Sequence, residues 1–232
     1  MLYQKEIQNY IEKHKAFLVK EHVYTDEAKY SRDPQKRFGA NGILLLLRLL
    51  GRSQDLLEDS IDMIEKKKFI SLAVLSRAHL ETTASLGYFL NNLKRYYAKE
   101  VDFNKVAEVL YKLKFGSKQN DDGLEIDPIN VMNMVDAADK VLKGHGLEEK
   151  VIRYNYNIAC ELSHPNYRGI SYKTKFIEGE GRTIFLNNED SFNEKAGTVL
   201  CQLHISGGAF LLYYSEAFAL LEKHELMPIL VK

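Results

Sequence analysis

At 232 residues the chain can enclose one sizeable core and has no need of a second domain. Hydrophobic residues at 45% and charged residues at 28% exclude a disordered chain, and only four prolines favour long helices over a turn-rich β protein. Lys plus Arg and Asp plus Glu balance at 32 each, so no overall field draws in nucleic acid or an anionic membrane, though the balance leaves room for a local basic patch.

Taken in order, residues 2–20 carry apolar positions at Leu2, Ile7, Ile11, Phe17 and Leu18 and read as a charged amphipathic helix. Residues 25–38 are polar. A helix with a dense leucine face follows over about 41–67, and a third over 69–99, apolar nearly all round its first half and therefore central. A shorter helix covers 101–115, and 116–126 is a polar loop. Asp127-Pro128 has the form of an N-cap followed by proline at the first helical position, opening a helix that stops near Gly144-His145-Gly146. Residues 147–163 make the next helix. Residues 172–178 and 182–187 flank Gly179-Glu180-Gly181 as a short hairpin. Ser191-Phe192-Asn193-Glu194 is a capping box that starts the last helix, to about residue 223. The expected fold is all-α: a single domain over 1–232, a bundle of about seven helices with one β-hairpin near residues 172–187.

Cys160 and Cys201 lie in apolar helical patterns without CxxC spacing, and read as buried free thiols of a reducing compartment. The N-terminus has no apolar leader. Residues 196–221 are long enough to span a bilayer, yet Gln202, His204 and Glu216 interrupt them. They read as a buried helix of a cytoplasmic protein with no membrane partner.

The richest stretch for chemistry runs from Cys160 to Gly169, where Pro165 breaks a helix and leaves His164, Asn166, Tyr167 and Arg168 at its mouth. Upstream, Arg77 and Glu81 interrupt a small, apolar stripe of the third helix that also holds Ile70, Ala73, Ala84 and Tyr88, all within about 40° on a 3.6-residue wheel. Burying an ion pair is rarely a net gain, so the pair reads either as a brace between helices or as part of a site. On the last helix, His204 precedes Gly207-Gly208, and adjacent helical glycines imply another helix or a ligand at close range. Glu161-Leu162-Ser163-His164 has the E-x-x-H spacing of di-iron bundles, but no second copy exists and neither metal nor cofactor is expected. Arg168, Lys173, Lys175 and Arg182, interleaved with Tyr167 and Tyr172, could hold a phosphate-bearing or single-stranded substrate. A solvated hairpin face is the simpler account of them.

The Arg77-x-x-x-Glu81 helix followed by Cys160-Glu161-Leu162-Ser163-His164-Pro165-Asn166 resembles a group of bacterial all-helical proteins classed as a domain of unknown function. The resemblance covers roughly residues 40–220. It implies Arg77, Glu81 and His164 as shared polar residues, with Asn166 a weaker fourth, and carries no activity. In overall shape the chain also resembles the HEPN superfamily of toxin and phage-defence systems, many of them metal-independent ribonucleases. Their Arg and His stand four to six residues apart on one helix, and no arginine here has a histidine at that spacing. The expected site is a buried polar pocket of Arg77, Glu81 and His164, walled by Tyr88 and His204 and edged by Asn166 and Arg168. It would bind a small anion or a partner protein in a self-associating bundle. The alternative is RNA cleavage, which requires Arg77 and His164 to meet across helices.

Overall fold

The computed structural model describes residues 2–17, 23–24, 32–117, 126–147, 150–223 and 230–231. Among these are eight α-helices: α1 (Leu2–Phe17), α2 (Pro34–Glu65), α3 (Phe69–Tyr97), α4 (Phe103–Phe115), α5 (Val131–Gly144), α6 (Val151–Ser163), α7 (Tyr167–Ile170) and α8 (Asn188–Lys223). A hairpin of β2 (Thr174–Ile177) and β3 (Arg182–Phe185) lies between α7 and α8. It is antiparallel, with Thr174 opposite Phe185 and Ile177 opposite Arg182, and Gly179 and Gly181 take the positive φ its turn needs. A second antiparallel pair, β1 (Val23–Tyr24) with β4 (Leu230–Val231), has no counterpart in the sequence reading.

Helix α6 starts at Val151 rather than 147, and three other helix starts differ from expectation for a local reason. The α2 helix begins at Pro34, because Asp33 accepts the Gln35 N–H at 2.8 Å and Pro34 fits the first turn. Phe38 is thereby buried in the core; residues 25–31 lie outside the described residues, as do 118–125 of the expected polar loop. Asp127-Pro128 starts no helix. Pro128 is pressed against Gly116 at the end of α4, and Asn130 caps α5 instead, accepting the Met132 N–H at 2.8 Å. The α8 helix starts before the Ser191 box, with the Asn187 side chain accepting the Asp190 N–H at 2.8 Å. Ser191 then donates to the Tyr172 carbonyl and Glu194 pairs with Lys175, so both box residues hold the hairpin.

Helix α3 lies at the centre, packed on α8, α5, α2 and α6. Its closest crossing is with α5 at Gly87, where a Cβ would lie 2.6 Å from the Ala138 Cβ and 2.8 Å from its Cα. Among the described residues the core has two apolar clusters. One is built around Leu46, Leu50, Leu80, Phe89, Phe210 and Tyr213, the other around Ile7, Ile11, Leu57, Leu72, Ala73 and Leu203. Along α2, α3 and α8 the boundary between them falls at Ser53, at Ser76 and His79, and at Ser206, so a polar seam crosses the middle of the bundle.

Candidate functional site

Arg77 and Glu81 sit one turn apart on α3, facing α6, and Arg77 Nε donates to Glu81 Oε1 at 3.1 Å. From α6, the Tyr156 hydroxyl donates to the same Glu81 oxygen at 3.1 Å, and the guanidinium lies over the Tyr156 ring, 5.9 Å from its centre. At the end of α6 the chain turns out at His164, which is extended with φ −91° and ψ 153° ahead of Pro165. The ring is thereby free to turn back toward α3. Arg77 Nη1 lies 2.9 Å from His164 Nε2. A guanidinium only donates, so Nε2 is the acceptor and the imidazole in this contact is neutral.

The pair is less buried than its apolar stripe implies. The Arg77 and Glu81 side chains are 29% and 37% exposed, and His164 is exposed. Among the described residues the cluster is an open mouth between α3 and the end of α6, where the chain turns out at His164. Burial disfavours the Arg77 charge, but a hydrogen bond with Tyr156 and the potentials of Cys160, Glu81 and Tyr156 outweigh it and raise the guanidinium pKa. Burial, a hydrogen bond with Cys160 and the Glu81 charge push Tyr156 up to about 12, so it stays a neutral donor. Tyr156 is absent from the site residues expected from the sequence. The available signal was that a buried tyrosine needs a partner for its hydroxyl.

The other expected site residues lie elsewhere or do structural work. Tyr88 is eleven residues beyond Arg77 on the same helix, about 16 Å further along its axis. His204 accepts or donates at 3.0 Å to the Tyr10 hydroxyl and packs on Tyr3 and Tyr10, in the seam between α1 and α8. Asn166 caps α7, accepting the Gly169 N–H at 3.1 Å and donating to Glu161 at 3.0 Å. Among the described residues no three His, Cys, Asp or Glu side chains come together as a metal site would require. Of the hairpin cations, Lys175 pairs with Glu194, Arg182 with Glu180, and Lys173 lies over Tyr172, which itself stacks on Phe69. Arg168 and Tyr167 remain exposed and without such partners among the described residues. Cys160 and Cys201 are half-buried rather than buried.

The polar seam escaped the sequence reading altogether. His14, Ser53, His79 and Ser206, all fully buried, form one chain of hydrogen bonds. His14 Nδ1 must donate to the Tyr10 carbonyl at 2.7 Å, so its Nε2 accepts from Ser53 at 2.9 Å. Ser53 in turn accepts from His79 Nε2 at 2.8 Å, and His79 Nδ1 accepts from Ser206 at 2.7 Å. Burial lowers the pKa of both histidines and keeps both rings neutral, while the Ser206 hydroxyl also lies 3.3 Å from the Leu203 carbonyl. Alongside it, Ser76 donates to Gln202, whose amide donates to the Asn155 carbonyl on α6. Helix α8, which is long and apolar enough to cross a membrane by length and composition, is tied into the bundle through these groups.

No protein-family model, curated protein or solved structure matches the chain.

Proposed function

We propose that the protein cleaves single-stranded RNA by metal-independent transesterification at the Arg77–His164 pair. What supports this is the 2.9 Å contact itself, which sets a fixed cation beside a neutral imidazole at an open mouth. Glu81 holds the Nε edge of the guanidinium, leaving the outer edge for an anion. A phosphodiester drawn onto that edge takes the Nη1 hydrogen from His164 and frees Nε2 as a base. Nε2 then removes the ribose 2′-hydroxyl proton, the 2′ oxygen bonds to phosphorus, and the bond to the 5′ oxygen breaks. That oxygen takes a proton from water, and the imidazolium returns its own to solvent. The ends formed are a 2′,3′-cyclic phosphate and a 5′-hydroxyl. Arg77 stabilises the added charge on phosphorus throughout.

The likeness to helical ribonucleases of toxin and phage-defence systems points the same way, with Arg and His drawn here from two helices. The reading takes the protein as cytoplasmic, where RNA is met. One observation weighs against turnover and leaves the other reading, a pocket that binds a small anion or partner protein: Glu81, 3.1 Å from Arg77, offsets part of the charge that a reacting phosphate needs. The deciding experiment incubates labelled single-stranded RNAs with wild type and His164→Ala in EDTA, with both folds checked by circular dichroism. Cleavage to cyclic-phosphate ends by wild type alone is expected. No cleavage by either protein across several RNAs overturns the enzyme and leaves the binding pocket.

A further inference from the structure

Beside the Arg77 cluster, along the outer face of α6, runs a groove of about 610 Å³ lined by Tyr154, Asn157, Ile158, Cys160, Glu161 and Arg168. Tyr154, Asn157, Ile158 and Glu161 share one helical face by their three- and four-residue spacing. Cys160 is the wall common to groove and cluster, since it also meets the Tyr156 hydroxyl and the field at Arg77. The groove therefore adjoins the cluster at Cys160, on the face of α6 turned away from Tyr156. A slightly larger cleft between α5 and α6, about 680 Å³, is different. There Arg153 is spent on Asp136 and the Met132 carbonyl, Asp139 on the first N–H groups of α6, and no residue of the cluster lines it.

We infer that this groove is a nucleotide subsite, holding one unpaired base of single-stranded RNA and the phosphate next to the one that reacts. Its groups divide in the way such a ligand requires. Tyr154 is 67% exposed and offers a bare ring face on which a base stacks. Asn157 is an exposed amide that can both donate to and accept from a base edge. Arg168 supplies the charge for a phosphate. Among the described residues none of these three side chains has a hydrogen-bond or ion-pair partner, so the fold does not use them. Glu161 would repel a phosphate, but Asn166 holds its Oε2 and the remaining oxygen can accept from a base amino group. The phosphate accordingly belongs at the Arg168 end. The volume can take one nucleotide, and a duplex hides the base faces that Tyr154 would stack on.

The subsite rests on the ribonuclease reading for its position in a reaction, but its test does not depend on cleavage. A fluorescent single-stranded oligonucleotide with 2′-O-methyl riboses lacks the attacking hydroxyl and reports binding alone. Tyr154→Ala and Arg168→Gln alter exposed side chains, so the fold is expected to survive, with circular dichroism as the check. Each should weaken binding by about tenfold, and a duplex of the same sequence should compete poorly. In wild type that cleaves RNA, the same variants should raise KM and leave kcat within about twofold. Binding unchanged in both variants, or equal competition by duplex, overturns the subsite even where cleavage stands. Binding lost in the variants supports it even where wild type cleaves nothing, in which case the catalytic reading alone falls.

Discussion

Gly169 lies against the His164 carbonyl so closely that a Cβ added there would come within 1.8 Å of the oxygen. The Asn166 cap pulls the Gly169 N–H toward it, which closes the turn and sets where the imidazole emerges. Gly169→Ala must therefore push the turn open and move the ring relative to Arg77. Helix α7 is short and peripheral, so helicity by circular dichroism should stay at the wild-type level. A displacement of about 1 Å in a catalytic group costs on the order of a hundredfold in rate. RNA cleavage should fall accordingly, and wild-type turnover in this variant would mean that the turn does not position His164.

A similar close approach occurs at Gly207, where a Cβ would lie 2.6 Å from the Tyr10 ring, whereas at Gly208 the nearest Tyr10 atom is at an ordinary 3.4 Å. The sequence implied a crossing element at this pair; it is α1, and the tight position is the first of the two. Gly207→Ala should destabilise by roughly 1–3 kcal/mol through overpacking. Gly208→Ala should be neutral or stabilise by up to about 1 kcal/mol, the helix propensity of alanine. Urea unfolding of the two variants side by side checks the order.

The helices were legible because their apolar periods are strong, and the mouth was legible because Pro165 and the charges on an apolar stripe break those periods. What stayed hidden depends on partners remote in sequence. His14 and His79 each look like a lone histidine on an apolar face, and only the packing of α1, α2, α3 and α8 joins them through Ser53 and Ser206. The exposure of Arg77 was hidden for the same reason, since a helical wheel gives direction but not where the covering helix stops. Asp33-Pro34 and Asp127-Pro128 are alike locally. The second fails to start a helix because Gly116 admits Pro128 against its backbone.

The buried histidine chain predicts how stability changes with pH. Burial, and then the neighbouring His14, push the His79 pKa down from 6.5 to about 3, and burial lowers that of His14. Between those values the unfolded chain takes up the His79 proton and the folded one does not. Stability should fall as pH drops from about 6.5 toward 3, by up to about 1.4 kcal/mol per pH unit for His79, and His14 acts in the same direction. Asp139 opposes the trend, because burial raises its carboxyl pKa and the folded state binds that proton first. Urea melts at pH 7, 6 and 5 should show the decline. His79→Gln should be less stable at pH 7 and have a visibly flatter slope; an equal slope would remove His79 as its source.

The guanidinium of Arg77 has to serve two partners at once, Glu81 through Nε and His164 through Nη1. A lysine ammonium in its place is a single point of charge and cannot span both. Arg77→Lys should keep its bond to Glu81, which is one turn away on the same helix, and lose the contact with His164. The fold should hold, because the pair is partly exposed and such pairs contribute only about 0–1 kcal/mol. Turnover should drop by roughly two to three orders of magnitude, the size of a lost preorganised donor. Binding of the 2′-O-methyl oligonucleotide should weaken far less, since the α6 groove is intact. Arg77→Ala offers the complementary measurement, because it leaves a space at the mouth that free guanidinium can enter. Millimolar guanidinium below denaturing levels should restore part of the cleavage in Arg77→Ala and none in His164→Ala. Restoration in neither variant, with Arg77→Lys as active as wild type, would show that the guanidinium stabilises no reacting phosphate and that the Arg77–His164 contact only braces α3 against the end of α6.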